Sequence, residues 1–193
     1  DLLLSDSTNA PEPGFTLSET EVGATLMQVV REAPGRVVMA SFASNIHRIQ
    51  QMFWAAEKYG RRVAVLGRSM TETLEVAHQL HYMEFDPKTL VSPKDIGRLK
   101  SAELMVVCTG SQGEQSSVLR RLAQEDYQGL QLEPGDTVLI SADPIPGNER
   151  AIQQVIEACM RRGAKVINEL ENVHVSGHGC AEEQKMLIMM TRP

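Results

Sequence analysis

Short, uninterrupted apolar runs alternate along this chain with longer stretches in which apolar residues recur every three or four positions. Val37-Val38-Met39-Ala40 reads as a buried strand, and the 45–59 stretch behind it sets Ile46, Ile49, Met52 and Phe53 on one helical side. Residues 63–66 give the next strand, ended by Gly67, and 71–81 a helix with Leu74, Ala77 and Leu80 together. Leu104–Cys108 is a third strand, followed by a helix through Val118, Leu119 and Leu122. Thr137–Ile140, a helix over 149–162 and the strand Lys165–Ile167 continue the rhythm. The last segment, 182–190, begins polar and ends apolar, and reads as a short helical turn or a further strand. Residues 6–15, with two prolines and a glycine, and 85–100 read as irregular connections. Continuous apolar strands, each followed by a helix of about 10 to 15 residues, predict a mainly parallel central sheet with helices on both faces. The expected fold class is therefore α/β, a doubly wound domain of three layers.

Composition narrows the function classes. A chain of 193 residues can bury one sizeable core, and 42% hydrophobic with 23% charged residues is globular composition. The longest apolar runs, 104–108 and 186–190, are too short to cross a membrane, and Leu2 to Leu4 follow an acid rather than the basic region of a signal peptide. Cys108, Cys159 and Cys180 are odd in number and form no CxxC pair, which reads as free thiols in a reducing compartment. The net charge of -6 speaks against a nonspecific nucleic-acid binder, whose affinity comes from a basic surplus. Nucleic-acid contact would have to come from a few aimed donors or from a part of the protein outside this chain. The doublets Arg61-Arg62, Arg120-Arg121 and Arg161-Arg162 read as solvated positions in or just past helices.

The candidate chemistry sits where strands end. Ser41-Phe42-Ala43-Ser44-Asn45 follows the first buried strand, Thr109-Gly110-Ser111-Gln112-Gly113-Glu114 the third, and Ser141-Ala142-Asp143-Pro144-Ile145-Pro146-Gly147-Asn148-Glu149 the fourth. His174-Val175-Ser176-Gly177-His178-Gly179 comes near the end. Ser and Asn ahead of a helix are ordinary N-caps, and Gly is ordinary backbone relief. In a parallel α/β sheet, however, such loops converge on one edge, and several donors at one place make an anion pocket. Neither glycine loop has the spacing of a phosphate-binding P-loop or of a dinucleotide fingerprint. His47, His78 and His81 fall within predicted helices as surface or packing residues. His174 and His178 flank Ser176-Gly177, and Glu169 and Glu171 do not complete a local zinc pattern with them. The pair reads as phosphate donors, as proton-transfer groups or as neither.

These loops, in this order, resemble the signatures of the ribonuclease J family. Leu3-Leu4-Ser5-Asp6-Ser7-Thr8-Asn9 and Pro13-Gly14-Phe15-Thr16-Leu17-Ser18-Glu19 resemble the junction at which its metallo-β-lactamase domain enters its β-CASP domain. Ser41 to Arg48, Thr109 to Glu114, Pro144 to Glu149 and His174 to Gly179 are similar to its later motifs, so the likeness covers nearly the whole chain.

The resemblance implies a junction over 1–17, a β-CASP domain over 18–193, and an RNA-processing parent with endonuclease and 5′-to-3′ exonuclease activity. It implies two zinc ions, or manganese, between the two domains, with Asp6 in the place of a carboxylate that bridges them. Glu19 would orient a neighbouring histidine, and His178 would stabilise charge or move a proton at the scissile phosphate. Ser176 and Gly177, with Ser44 and Asn45 opposite and with Ser111 and His174, would hold phosphates of an RNA, preferably 5′-monophosphorylated. The expected setting is the cytoplasm, with no membrane partner, in a homo-oligomeric parent. The family's His-x-His-x-Asp-His metal motif is absent from the chain, and its last β-CASP histidine would follow Thr191-Arg192-Pro193. The chain alone is therefore expected to fold, to hold no metal and to be catalytically silent. The competing expectation is a regulatory α/β domain whose Ser/Gly loops bind a phosphorylated metabolite.

Overall fold

A computed structural model describes residues 2–168 and 174–193. In chain order these form α1 (Glu19–Glu32), β1 (Val37–Ala40), α2 (Ile46–Lys58), β2 (Arg62–Leu66), α3 (Arg68–Gln79), β3 (Leu104–Cys108), α4 (Val118–Ala123), β4 (Thr137–Ile140), α5 (Glu149–Arg161), β5 (Lys165–Ile167) and α6 (Ala181–Thr191). The five strands make one all-parallel sheet in the order β2-β3-β1-β4-β5.

The unbroken apolar runs have a simple cause. β1, β3 and β4 lie inside the sheet with both faces covered, and every residue in them is buried. Side chains alternate between two cores. Val37, Met39, Val65, Met105 and Val107 pack with Leu26 of α1, Phe53 of α2 and Met70 of α3. Val38, Ala40, Leu66, Val106 and Cys108 pack with Leu119 and Leu122 of α4 and with Val155 and Cys159 of α5. Each fully buried side chain of this size stabilises the fold by about 1.5–3 kcal/mol. The doubly wound class read from the sequence is the one that forms.

Three local readings change. Residues 19–32, unassigned from the sequence, are the 14-residue helix α1, which opens on the Ser18 N-cap with Glu19 and Glu21 in its first turn. Arg61 is not solvated. It is buried and donates to the carbonyl oxygens of Val30, Ala33 and Gly35 at 3.1, 2.6 and 2.6 Å, satisfying groups left open where α1 ends. The C-terminal segment is neither a turn nor a strand but the 11-residue helix α6, none of whose residues is buried. Between α3 and β3 the chain rounds the sheet edge, where Leu90 bridges Val63, and a 3₁₀ turn over Pro93–Arg98 sends Ile96 into the second core.

Candidate functional site

β1 leads through α2 to β2 on one side of it, whereas β4, its neighbour, leads through α5 to β5 on the other. The loops leaving these two strands diverge, and the crevice they open at the carboxyl ends is where an open α/β sheet holds ligands. A cleft of about 710 Å³ occupies it. Phe42, Ser44 and Asn45 line one side, Asp143, Pro144, Ile145 and Pro146 another, and His174, Val175, Ser176, Gly177 and His178 close it with Thr8, Asn9 and Glu19.

At the base of this cleft lies an ion pair between a fully buried arginine and a glutamate that is one-third exposed. Arg48, fully buried on α2, donates to both carboxylate oxygens of Glu19 at 2.8–3.1 Å and also to the Ser141 hydroxyl. One guanidinium thus ties the start of α1 to α2 and to the end of β4, with the fork geometry that suits a carboxylate. A second fastening is Gln112. Its amide donates to the Asp143 carbonyl at 2.8 Å, and its oxygen accepts from the Ile145 backbone N–H at 2.9 Å. Gly113 beside it has φ +69°, and a Cβ there would meet the Ala151 carbonyl carbon at 2.5 Å, so only glycine fits.

The rim is built differently. Asp6 Oδ1 accepts from the Thr8 hydroxyl and N–H at 2.8 and 3.2 Å, while its Oδ2 lies 3.0 Å from His178 Nδ1. These bonds, those to Thr8 foremost, hold the Asp6 carboxyl below its ordinary value of 3.8. Facing a carboxylate acceptor, His178 carries its proton on Nδ1, which leaves Nε2 as the site for accepting or giving a proton. Ser176 Oγ accepts from Asn9 Nδ2 at 3.0 Å and from the His178 N–H at 3.2 Å, so its own proton is available to a ligand oxygen. Asn45 Oδ1 caps α2 through the Arg48 N–H, leaving the amide NH₂ to donate.

The structure brings together Glu19, Ser44, Asn45, His174, Ser176, Gly177 and His178, and Asp6 joins them through His178. It does not bring in Ser111, which is 1% exposed and does not line the cleft. Nor does Glu19 bond a histidine, since its oxygens are taken by Arg48; it reaches His174 through charge alone. His174 Nε2 lies 3.5 Å from Asp143, its Nδ1 is buried without a hydrogen-bond partner among the described residues, and burial holds the imidazole below its ordinary value of 6.5. Glu169 and Glu171 lie outside the described residues. Sequence reasoning missed Arg48 as a working residue, although a charge in step with Ile49 and Met52 on a core-facing helix is a signal.

Among the described residues no three His, Cys, Asp or Glu side chains converge as a metal would require. Asp6 and His178 are at most part of a ligand set, and no chemical step through a metal follows from them. All three cysteines are free, and burial pushes the Cys159 thiol up to about 12 and the Cys108 thiol higher still, which leaves both unreactive.

The sequence pattern of the ribonuclease J β-CASP domain matches residues 34–159. The chain belongs to the ribonuclease J family. It is 45% identical over 193 residues to "Ribonuclease J" of Thermus thermophilus, 42% over 192 to "Ribonuclease J 1" of Streptococcus pyogenes and 41% over 191 to "Ribonuclease J2" of Bacillus subtilis. Each comparison takes in 99% or more of this chain and 34% of the relative, so the chain spans about a third of those proteins. The doubly wound sheet is that family's β-CASP domain, and every motif loop that carried the likeness except Thr109 to Glu114 contributes to the lining of the cleft. No described helix is long and apolar enough to cross a membrane.

Proposed function

We propose that this chain is the RNA-phosphate-holding wall of a ribonuclease J, an enzyme that hydrolyses RNA phosphodiesters as endonuclease and 5′-to-3′ exonuclease. The observation that carries this reading is the convergence of Ser44, Asn45, Ser176 and His178 on one cleft at the switch point of the sheet. The Ser176 hydroxyl and the Asn45 amide are donors suited to the oxygens of a 5′-monophosphate, joined by the His178 ring when its Nε2 carries a proton, and their close set accounts for recognition by a chain of net charge -6. In this reading His178, aligned by Asp6, moves a proton or steadies charge at the scissile phosphate. Arg48 and Glu19 are positioning residues, which fix the loops that carry the donors.

Metal chemistry enters with a metallo-β-lactamase domain outside this chain. There two zinc or manganese ions would activate water and polarise the phosphate, and Asp6 is the residue here that would join their ligands. The assembled enzyme is proposed to work in the cytoplasm as a homo-oligomer. A titration of the chain with 5′-phosphorylated and 5′-hydroxyl RNA oligonucleotides tests the reading. Weak binding that prefers the 5′-phosphate, with the preference lost in Ser176→Ala and His178→Ala, is expected. Equal binding of both RNAs, or a phosphorylated mononucleotide bound as well as RNA, would instead point to a metabolite site.

A further inference from the structure

Two arginine doublets that lie 41 residues apart in the sequence meet in the fold. Arg120 of α4 and Arg161 and Arg162 at the end of α5 line a groove of about 410 Å³ between the two helices, on the sheet face opposite α1, α2 and α3. Gln124 and Gln154 add amide donors, Ala123, Val155 and Ala158 form a low floor, and among the described residues no carboxylate lines the groove. We propose that this groove is a second contact for the phosphodiester backbone of RNA, outside the cleft; the proposal rests on the RNA reading above.

The three guanidiniums differ in how far they are engaged. Arg162 is turned to Glu125 and to the Ala123 carbonyl oxygen. Arg120 uses one N–H on the Gly113 carbonyl oxygen at 3.2 Å. Arg161 is 69% exposed and meets Glu157 only at 3.9 Å, so most of its donors face solvent. Planar forks of N–H donors match phosphate oxygens, and amides beside them serve the same acceptors. A protein partner would need an aromatic or large apolar anchor at the centre of the contact, which this lining lacks. A nucleic-acid backbone needs only spaced donors.

The groove and the cleft are linked by one helix. α5 starts at the cleft's Pro144 to Asn148 loop, and at about 1.5 Å per residue Gln154 lies about 8 Å and Arg161 about 18 Å along it from Glu149. Arg120 holds the carbonyl of Gly113, next to the Gln112 that fastens the cleft loop. A strand that leaves the cleft thus has one helix to follow.

The test compares a 5′-phosphorylated trinucleotide with a 5′-phosphorylated RNA of about 20 nucleotides, a length that exceeds one cleft. Each is titrated into the chain, into Arg161→Glu, into Arg120→Gln/Arg161→Gln and into Ser176→Ala. The groove variants should bind the long RNA about three- to tenfold more weakly, with a salt slope lower by about one, and the trinucleotide unchanged. Arg161→Glu changes an exposed side chain, so retention of the wild-type unfolding midpoint separates lost binding from lost fold. If the groove variants bind the long RNA like wild type while Ser176→Ala weakens both RNAs, the groove proposal is overturned and the cleft reading stands. If the groove variants weaken the long RNA and Ser176→Ala weakens neither, the groove stands and the cleft reading falls. Equal weakening of both RNAs in the groove variants overturns a separate second contact.

Discussion

The floor of the cleft and its rim hold their residues by different physics. At the floor a fully buried Arg48 bonds Glu19 and Ser141, so the start of α1, α2 and the end of β4 are fixed by one desolvated charge. At the rim the chain's two ends meet away from the sheet. Asp6 and His178 are about half exposed, and the segment around residues 6–16 is laced to 176–184 through Asn9, Thr16, Ala181 and Glu182. The floor is part of the fold and fails with it. The rim, made of exposed and half-buried hydrogen bonds away from both cores, can open while the sheet stays intact. The proposed phosphate site would gain from that division, because the cleft keeps its shape while His178 sits on the part that can move.

The largest expected effect comes from breaking the floor. Arg48→Met strands the Glu19 carboxylate, and removal of one partner from a buried pair costs about 3–5 kcal/mol; with Glu19 one-third exposed, the lower end, about 3 kcal/mol, is expected. Urea denaturation measures it as a lower midpoint at unchanged slope. Glu19→Gln leaves the fully buried guanidinium with a neutral acceptor in place of its charge partner and should also lower the midpoint. A loss below about 1 kcal/mol for Arg48→Met would place the floor's stability in the apolar packing instead.

His174 stands between the two regions, and pH separates its behaviour from theirs. Burial lowers its folded pKa beneath the 6.5 of the unfolded chain, against the opposing pull of Asp143, so the folded state favours the neutral ring. Its contribution to stability is therefore full above 6.5 and is lost as pH falls from there towards the folded value. NMR titration should show the His174 ring still neutral where a free imidazole is half protonated. The fall in stability as pH drops below 6.5 should flatten in His174→Gln, and an unchanged slope would assign that dependence elsewhere.

The same division governs how much could be read from the sequence. Four of the strands were legible because β1, β3 and β4 are buried on both faces and β2 nearly so, which leaves continuous apolar runs with one interpretation, whereas β5, with only Ile167 buried, was legible from its place after α5. α1 was legible in principle, with Ser18 as cap and Val22, Leu26, Val29 and Val30 on one face, but its apolar residues are diluted by Gly23 and Thr25. α6 was not, because a helix that buries none of its residues shows no stripe that marks its period. Of the site, the loop residues could be proposed from their types and places. The Arg48–Glu19 pair joins positions 29 apart and shows only once α1 and α2 pack together. Likewise Arg120 and Arg161 look like solvated charges until α4 and α5 lie side by side.

The smallest and most local effect is expected at the rim, where two carboxylates share one direction of change. Asp6 is held below 3.8 chiefly by Thr8, and Glu183 is held below 4.5 by the Thr16 hydroxyl and N–H and by the Cys180 N–H. A carboxyl with a lowered folded pKa contributes stability that is present above its unfolded value and lost as pH falls through the folded one. Asp6 is about half exposed and Glu183 lies on α6, none of whose residues is buried, so the loss should open the seam between 6–16 and 176–184 without unfolding the sheet. Hydrogen exchange measured across the range below 4.5 should therefore rise at Thr8, Thr16 and Cys180 while Val38, Val106 and Val138 stay protected. Asp6→Asn should remove the Thr8 part of that acid response and leave the Thr16 part, since the two carboxylates bind different donors. Exchange that rises together at the seam and at the strand residues would mean that rim and floor form one cooperative unit, and His178 would then sit on a rigid element rather than on a movable one.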